Sequence, residues 1–300
     1  MTPPAPPPWL RRLVVLGMGY TGTRVADRLR MQGVDCIGTS RTAEAGDASR
    51  LRFTADAPLD PRLHAALAQA DAVLGSVPPD AEGDPALRTV AGALADNHRL
   101  RWLGYLSSTG VYADRQGGVV DGASPADGTD PTAEARRRAE AQWHALAQRR
   151  GIACGVFRLA GIYGPGRNAL RQLAEGTARH VVKPGMVFNR IHVDDACDAV
   201  VASLHRTRAS DAIYLVADRL PAPPQDVLAH AAAVSGLRLP PAEAYDPARA
   251  SPAQRRFYGS CKRIDARATY EALRWQPRHP DYRRGLEALW QAGEGRTPNA

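Results

Sequence analysis

A Gly-x-Gly-x-x-Gly pattern near the start of the chain constrains the fold more than any other feature. The apolar run from Leu13 to Leu16 predicts a short buried strand directly before it. The apolar spacing after it, through Val25 and Leu29, is typical of an amphipathic helix. A strand, a glycine turn and a helix in this order predict a dinucleotide-binding site, because the helix N-terminus attracts a pyrophosphate.

Each glycine of the pattern has a different predicted structural role. Gly17 permits the tight turn, Gly19 lets the backbone approach the pyrophosphate, and Gly22 lets the helix pack closely on the strand. Tyr20 and Thr21 lie between the last two glycines. We expect them to complete the cofactor loop.

Strands alternate with helices up to about residue 160. The predicted strands after the first are 34–39, 51–54, 71–77, 102–107 and 152–159, and the predicted helices between them are 61–70, 84–98 and 132–150. This alternation predicts an α/β fold, with a Rossmann-like, doubly wound parallel sheet over residues 11–160.

Residues 161–300 show a looser pattern and predict a smaller, mixed lobe that returns to the sheet within one integrated domain. Val181-Val182 and Val187-Phe188 flank a Lys-Pro-Gly-Met segment, which predicts a hairpin. The glycine-rich stretches 110–131 and 161–166 predict loops. The remaining predicted elements are helices at 194–206, 225–235, 265–273 and 282–292 and a strand at 212–216. Residues 1–10 are rich in proline and predict a disordered tail with no packed role.

Composition excludes several classes of protein. The 300 residues are 44% hydrophobic and 23% charged, as in soluble globular proteins. No apolar run is long enough to span a bilayer, and the start lacks the features of a signal peptide, so we expect a cytoplasmic monomer or homodimer without a membrane partner. The four cysteines form no Cys-x-x-Cys pair, and we expect neither a metal site nor disulfides.

The net charge of +8 comes mainly from scattered arginines. No basic patch interleaved with aromatic residues occurs, so a solvated basic surface, suited to anionic ligands, is favoured over a nucleic-acid partner.

The end of the second predicted strand bears on the choice of cofactor. Thr39-Ser40-Arg41 contains no acid that would accept hydrogen bonds from the adenosine ribose of NAD. A hydroxyl followed by an arginine suits a 2′-phosphate instead. We therefore expect NADP, with NAD as the alternative, while an ordinary loop role for Arg41 is the competing interpretation. The ends of the third and fourth strands supply further predicted cofactor contacts: Asp56, Val77 and Pro78.

Four stretches together resemble the extended short-chain dehydrogenase/reductases, also called the NAD-dependent epimerase/dehydratase family. They cover residues 17–22, 106–112, 158–166 and 190–195, in the family's order and spacing. The resemblance implies a Rossmann-like sheet, a nicotinamide cofactor across the carboxyl ends of the strands, and a substrate cleft against the C-terminal lobe.

The family's chemistry usually uses a Ser or Thr together with a Tyr-x-x-x-Lys pair, in which the Tyr exchanges a proton with the substrate oxygen and the Lys lowers its pKa. Ser108 matches the hydroxyl position. Aligning the family's glutamate with Glu140 puts Thr132 at the Tyr position and Arg136 at the Lys position, where Arg136 is expected to contact the nicotinamide ribose. No Tyr or Lys occurs between residues 113 and 162. The sequence thus resembles an atypical subgroup that keeps the cofactor site and lacks the pair.

Other side chains are candidates for the missing roles. Tyr112 is the candidate proton donor beside Ser108, with packing as the alternative, and Ser108 has a loop-capping alternative. Tyr163 follows the sixth predicted strand near the cleft, with packing as its alternative. His192 lies just before a predicted helix of the second lobe, and the fixing of a loop by a hydrogen bond is its alternative. The predicted substrate-cleft residues are Thr109, Tyr163, Arg167, Asn189 and His192.

Two functions remain open from the sequence. The first is an NADP-dependent oxidoreductase or epimerase with a non-standard proton donor, acting on an unidentified small polar substrate. The second is a catalytically inactive NADP(H)-binding sensor or assembly protein. The missing pair favours the second, whereas Ser108 and the substrate-side loops favour the first.

Overall fold

The computed structural model describes residues 4–44, 46–55, 57–206 and 211–296. Seven parallel strands form the central sheet, numbered in chain order together with the short strands given below: β1 (Arg12–Leu16), β2 (Asp35–Ser40), β3 (Arg50–Arg52), β4 (Ala72–Gly75), β5 (Trp102–Ser108), β7 (Ala153–Leu159) and β11 (Asp211–Val216). Their order across the sheet is β11-β7-β5-β4-β1-β2-β3. The predicted Rossmann-like parallel sheet is confirmed.

Helices cover both faces of the sheet. The helices in the described residues are α1 (Tyr20–Arg30), α2 (Pro61–Ala68), α3 (Pro85–Ala95), α4 (Pro131–Arg150), α5 (Ala169–Ala174), α6 (Val193–Ser203), α7 (Pro224–Ser235), α8 (Pro252–Tyr258), α9 (Arg267–Leu273) and α10 (Tyr282–Gln291). Of these, α5, α7 and α10 pack on one another in the C-terminal lobe. Alternate residues of β1 point to opposite faces. Leu13 and Val15 pack with α1 and α6, while Val14 and Leu16 pack with α2, α3 and α4. None of the described helices combines the length and apolarity that crossing a membrane requires.

The helix that faces the cleft has strong local signals at both ends. The Asp130 carboxylate accepts hydrogen bonds from the backbone N–H of Thr132 and Ala133, and Pro131 occupies the first position of α4. Gly151 ends the helix with a φ of 63°. An acidic cap, a proline and a left-handed glycine are the residue types that start and stop helices, which explains why the sequence predicts α4 well.

The second half of the chain departs from the sequence prediction in its strand pairing. Its short strands, with one from the loop after β5, are β6 (Val119–Val120), β8 (Gly161–Tyr163), β9 (Val181–Val182), β10 (Arg190–His192), β12 (Glu243–Ala244) and β13 (Arg263–Ile264). The predicted hairpin is wrong, because β9 pairs in parallel with β12 and Phe188 bridges to Ala222. The two predicted loops also contain strands: β6 pairs with β13, and β8 pairs with β10. Each partner is distant in sequence, so no local pattern specifies it.

The proline-rich N-terminal segment also differs from the expectation of a tail with no packed role. Within its described part, from residue 4, Pro7 and Leu10 are buried. The ring of Trp9 lies under the guanidinium of Arg101 at 5.9 Å. The carbonyl oxygen of Ala5 lies 2.9 Å from the Nε2 of His205. Proline stiffness lowers the entropy that such packing costs, so a short extended segment stays on the surface of the domain.

Candidate functional site

The glycine turn lies at the switch point of the sheet, between the carboxyl ends of β1 and β4. Gly17 has a φ of 95°, and a Cβ there would lie 3.0 Å from the backbone of Val77. A Cβ on Gly22 would lie 2.6 Å from the carbonyl oxygen of Gly17, whereas a Cβ on Gly19 would meet no atom within 4 Å. Gly17 and Gly22 are therefore required by the fold itself. Gly19 instead faces open space, where a ligand would approach the backbone.

The start of α1 suits an anion. Its N-cap is Gly19, no side chain caps it, and no acid occurs in its first turn. The N–H of Gly17 donates to the Oγ1 of Thr39 at 2.9 Å, which fixes the turn against the end of β2. Uncapped N–H groups and the helix dipole together favour a phosphate group, so these residues fit the pyrophosphate of a dinucleotide.

The end of β2 offers hydroxyl and cationic groups where the adenosine ribose is expected. Ser40 is half-buried, and its Oγ accepts a hydrogen bond from the N–H of Thr42 at 3.2 Å. Arg41 is exposed and makes no ion pair or hydrogen bond with another described residue. Asp35 lies at the opposite end of the strand, paired with Arg12 at 2.7 Å. Asp56, the other predicted contact on this side, lies outside the described residues.

A cavity of about 900 Å³ opens beside the turn, at the carboxyl ends of β4, β5 and β7. It brings together residues of the predicted cofactor site with residues of the predicted substrate cleft. The predicted residues among its described lining are Thr21, Val77, Pro78, Ser108, Thr109, Tyr112, Arg136, Arg167 and Asn189. Thr132 lines it as well. The positions that we expect to align with the family's Ser, Tyr and Lys thus share one cavity.

Ser108 and α4 form one wall of this cavity. The Oγ of Ser108 accepts a hydrogen bond from the N–H of Gly110 at 3.0 Å and caps a single 3₁₀ turn. That contact agrees with the capping alternative and leaves the hydroxyl proton uncommitted. Thr132 is exposed and Arg136 half-buried. α4 carries no Tyr or Lys anywhere along its length.

Tyr112 borders the cavity, but its hydroxyl belongs to a buried polar network. It is 2% exposed, and its hydroxyl accepts a hydrogen bond from Arg158 at 2.7 Å. Arg158 also donates to both carboxylate oxygens of Glu140, at 3.1 and 2.7 Å, and Ser107 donates to the first of them. Burial raises the pKa of Tyr112, and the charge of Arg158 opposes this. The geometry favours the packing alternative for Tyr112.

The remaining predicted tyrosines also make internal contacts. The Tyr20 hydroxyl donates to the carbonyl oxygen of Pro165 at 3.0 Å, and burial raises the pKa of Tyr20 to about 12. The guanidinium of Arg167 lies 5.9 Å from the Tyr20 ring centroid. Tyr163 is 8% exposed within the apolar cluster of α5, α7 and α10. Its hydroxyl is 3.4 Å from the carbonyl oxygen of Asp281, so it faces the C-terminal lobe.

His192 caps a helix. Its Nδ1 accepts a hydrogen bond from the N–H of Asp194 at 3.2 Å, at the start of α6. Its ring centroid lies 3.9 Å from that of His279, and burial and that neighbour lower the pKa of His192 to about 4. The side chains of His192, Asp195 and His279 have ligand atoms within 4.8 Å of one another. The Asp195 carboxylate already accepts from the N–H of Arg278 and of His279, so the cluster is satisfied as an internal network.

Asn189 positions a segment that sequence reasoning missed. Its side-chain amide donates to the carbonyl oxygen of Lys262 and accepts from the N–H of Ile264, both at 2.8 Å. Lys262 lines the cavity and is 8% exposed. The same part of the chain adds Ser260, Arg255 and Arg256 to the lining. No motif marks this segment, although Lys262 is one of only two lysines in the sequence.

Comparison with known proteins agrees with this arrangement. The chain belongs to the NAD dependent epimerase/dehydratase family, whose model matches residues 13–217. A solved structure of a functionally unknown conserved protein from Silicibacter pomeroyi is 39% identical, with a TM-score of 0.84 over 94% of this chain and 99% of its own.

Two curated proteins are also similar. Protein YeeZ of Escherichia coli (strain K12) is 27% identical over 71% of this chain and 80% of its own length. A 3-diazoavenalumate denitrifying reductase of a Streptomyces species is 31% identical over 56% of this chain and 58% of its own length.

Proposed function

We propose that this protein is an NADP-preferring oxidoreductase, related to the epimerases, that acts on a small polar substrate and uses a non-standard proton donor. One observation carries the proposal. The glycine turn with the uncapped α1 N-terminus lies beside a cavity that also holds Ser108, Thr132 and Arg136. A bound nicotinamide would supply or accept a hydride in that cavity.

Different residues of the chain would bind the different parts of the cofactor and the substrate. Gly19 and the first N–H groups of α1 would hold the pyrophosphate, and Ser40 and Arg41 would hold a 2′-phosphate. Arg136 would donate to the nicotinamide ribose, because a guanidinium donates hydrogen bonds but does not release a proton near neutral pH. Ser108 would hydrogen-bond the substrate oxygen.

The charges of the cavity favour a polar, electron-rich substrate. Its described lining contains five cationic side chains, Arg136, Arg167, Arg255, Arg256 and Lys262, and two acidic ones, Asp114 and Asp130. Asp130 is engaged as the cap of α4 and Asp114 accepts from the N–H of Cys261. An excess of cations in a cleft raises the local concentration of anionic ligands.

The name of the Streptomyces relative, a reductase, agrees with reduction as the reaction class. The second candidate is an NADP(H) sensor or assembly protein without catalysis. The absence of Tyr and Lys from α4, together with the buried position of the Tyr112 hydroxyl, favours that candidate.

The experiment that separates the two uses purified protein, NADPH and a panel of aldehydes, ketones, quinones and diazo compounds. Absorbance at 340 nm reports oxidation of NADPH, and cofactor fluorescence reports its binding. We expect binding, and oxidation with at least one class of acceptor. Binding without oxidation by any acceptor would support the sensor, and absence of binding would contradict both candidates.

A further inference from the structure

Lys262 is a buried cation in the cavity that the family pattern does not explain. It precedes β13 in the C-terminal lobe and is far from α4 in sequence. The other lysine, Lys183, donates to the carbonyl oxygen of Tyr258. A charged lysine is rarely buried without a specific set of partners, so the contacts of Lys262 indicate what holds it there.

The hydrogen bonds of Lys262 determine where the hydroxyl proton of Ser260 points. Its Nζ lies 2.8 Å from the carbonyl oxygen of Tyr112, 3.3 Å from that of Ala113 and 2.5 Å from the Oγ of Ser260. An ammonium has three donors and no acceptor. Ser260 must therefore accept from Lys262, and its own hydroxyl proton must point elsewhere.

Ser260 is half-buried and lines the same cavity as Ser108. Its hydroxyl makes no second hydrogen bond within the described parts of the chain. An ammonium behind a hydroxyl polarises the O–H bond and provides a source from which the proton can be replaced. The Ser260 hydroxyl therefore needs an acceptor for its proton, and an oxygen atom of a substrate in the cavity would be one.

We propose that Ser260 and Lys262 form a hydroxyl–ammonium pair that donates a proton to the oxygen of a carbonyl substrate, in place of the Tyr and Lys that the family carries on the helix equivalent to α4. This inference rests on the proposed function, which supplies the hydride. As the carbonyl carbon gains that hydride, the oxygen takes the hydroxyl proton of Ser260. The Oγ of Ser260 then takes a proton from Lys262, and water returns one to the neutral amine.

The electrostatic surroundings agree with a lysine that can release a proton. Burial lowers the pKa of Lys262. The loop after β5 adds Arg115, which lowers it further, and Asp114 and Asp127, which raise it, while Asp130 at the start of α4 also raises it. The net direction is downward. A hydroxyl without an ammonium behind it, such as Thr132, has no such proton source.

One arm of the test does not depend on activity. Protein labelled with [¹³C]lysine has two lysine Cε resonances, which Lys183→Met assigns. We expect Lys262 to titrate below the usual lysine pKa of about 10.4. Ser260→Ala removes an acceptor of the ammonium and should lower that midpoint further, while the Lys183 midpoint stays. A Lys262 midpoint at the usual value, or one unmoved by Ser260→Ala, would overturn the pair.

The second arm measures turnover of whichever panel compound wild-type protein reduces. We expect Ser260→Ala and Lys262→Met to lower kcat by about 10²-fold or more, with unchanged NADPH affinity and thermal unfolding temperature for Ser260→Ala. Lys262→Arg keeps a buried charge and hydrogen bonds but cannot release a proton. It should therefore fail to rescue kcat, and Lys183→Met should have no effect.

The outcomes show whether the Ser260–Lys262 pair or the proposed function has failed. Full rescue by Lys262→Arg would assign Lys262 a structural role and overturn the proposal, as would wild-type turnover by Ser260→Ala. In the wild type, kcat should fall as pH rises through the Lys262 midpoint, since the neutral amine has lost the proton it supplies. If NADPH binds but no compound is reduced, the proposed function fails, and the lysine titration alone decides whether the pair exists.

Discussion

The glycine turn and the N-terminal half of α4 form two sides of the same cleft, and they differ in how closely their residues match the pattern expected for the family. The turn keeps both the geometry and the residue types of the family pattern, down to the open space at Gly19. α4 has an Asp130 cap and a buried Glu140–Arg158 pair, and on its cavity side it carries Thr132 and Arg136, with no Tyr or Lys along its length. The contacts that hold α4 in place are therefore separate from the side chains that it presents to the cavity.

The largest expected effect is on the network that holds α4. Arg158→Leu would leave the Glu140 carboxylate buried without its partner, since the two side chains are only 6% and 7% exposed. Breaking a buried pair in this way costs about 3–5 kcal/mol in the free energy of unfolding. Denaturant unfolding measures it. Arg267→Leu, which breaks the exposed pair with Asp265, is the matched control and should change stability by less than about 1 kcal/mol. Equal effects would mean that the network does not anchor α4.

On the other side of the cleft, Gly19→Val should remove cofactor binding without unfolding the protein. The new side chain enters the space in which the pyrophosphate would lie, while no described atom is within 4 Å of its Cβ. We expect NADPH affinity to fall by at least about 100-fold, or about 2.7 kcal/mol. Titration by cofactor fluorescence checks this, with thermal unfolding to confirm the fold. Gly92→Val, at another glycine with open space around it, should leave affinity unchanged. Normal binding by Gly19→Val would place the cofactor site elsewhere.

A smaller effect is expected from Arg136→Ala on α4. If Arg136 donates to the nicotinamide ribose, its loss should weaken NADPH binding about tenfold, or about 1.4 kcal/mol, as for one charge-assisted hydrogen bond. The same fluorescence titration measures it. Arg137→Ala, on a neighbouring position of α4 that contacts the Gly128 carbonyl, is the control. An unchanged affinity for Arg136→Ala would mean that the alignment of α4 with the family's Lys position is wrong.

The smallest effect is expected at Thr132. Unlike that of Ser260, its hydroxyl makes no hydrogen bond to a lysine ammonium within the described parts of the chain, so it has no proton source and Thr132→Ala should leave any turnover within about twofold of wild type. The rate of NADPH oxidation tests it with the best acceptor of the panel. Loss of turnover in this variant would show that the threonine belongs to a proton relay. The double change Thr132→Tyr with Arg136→Lys should raise carbonyl reduction if the rest of the cleft is competent.

The two sides of the cleft also explain how far sequence reasoning reached. The strands, the glycine turn and α4 are specified largely by neighbouring residues, and the predicted fold class is confirmed. The pairing of β9 with β12 and the contact of Lys262 with Tyr112, 150 positions apart, depend on tertiary packing. The same is true of Tyr112, because its place in the sequence motif does not reveal that its hydroxyl accepts a hydrogen bond from Arg158.

Comparing the affinities for NADPH and NADH tests the central claim most directly. If the glycine-turn side of the cleft binds the cofactor, and Ser40 and Arg41 hold its 2′-phosphate, wild-type protein should bind NADPH more tightly than NADH. Arg41→Ala should narrow the difference by about 1.5–3 kcal/mol, the contribution of a charge-assisted hydrogen bond. Equal affinities of the wild type for the two cofactors, or an unchanged difference in Arg41→Ala, would contradict the assignment.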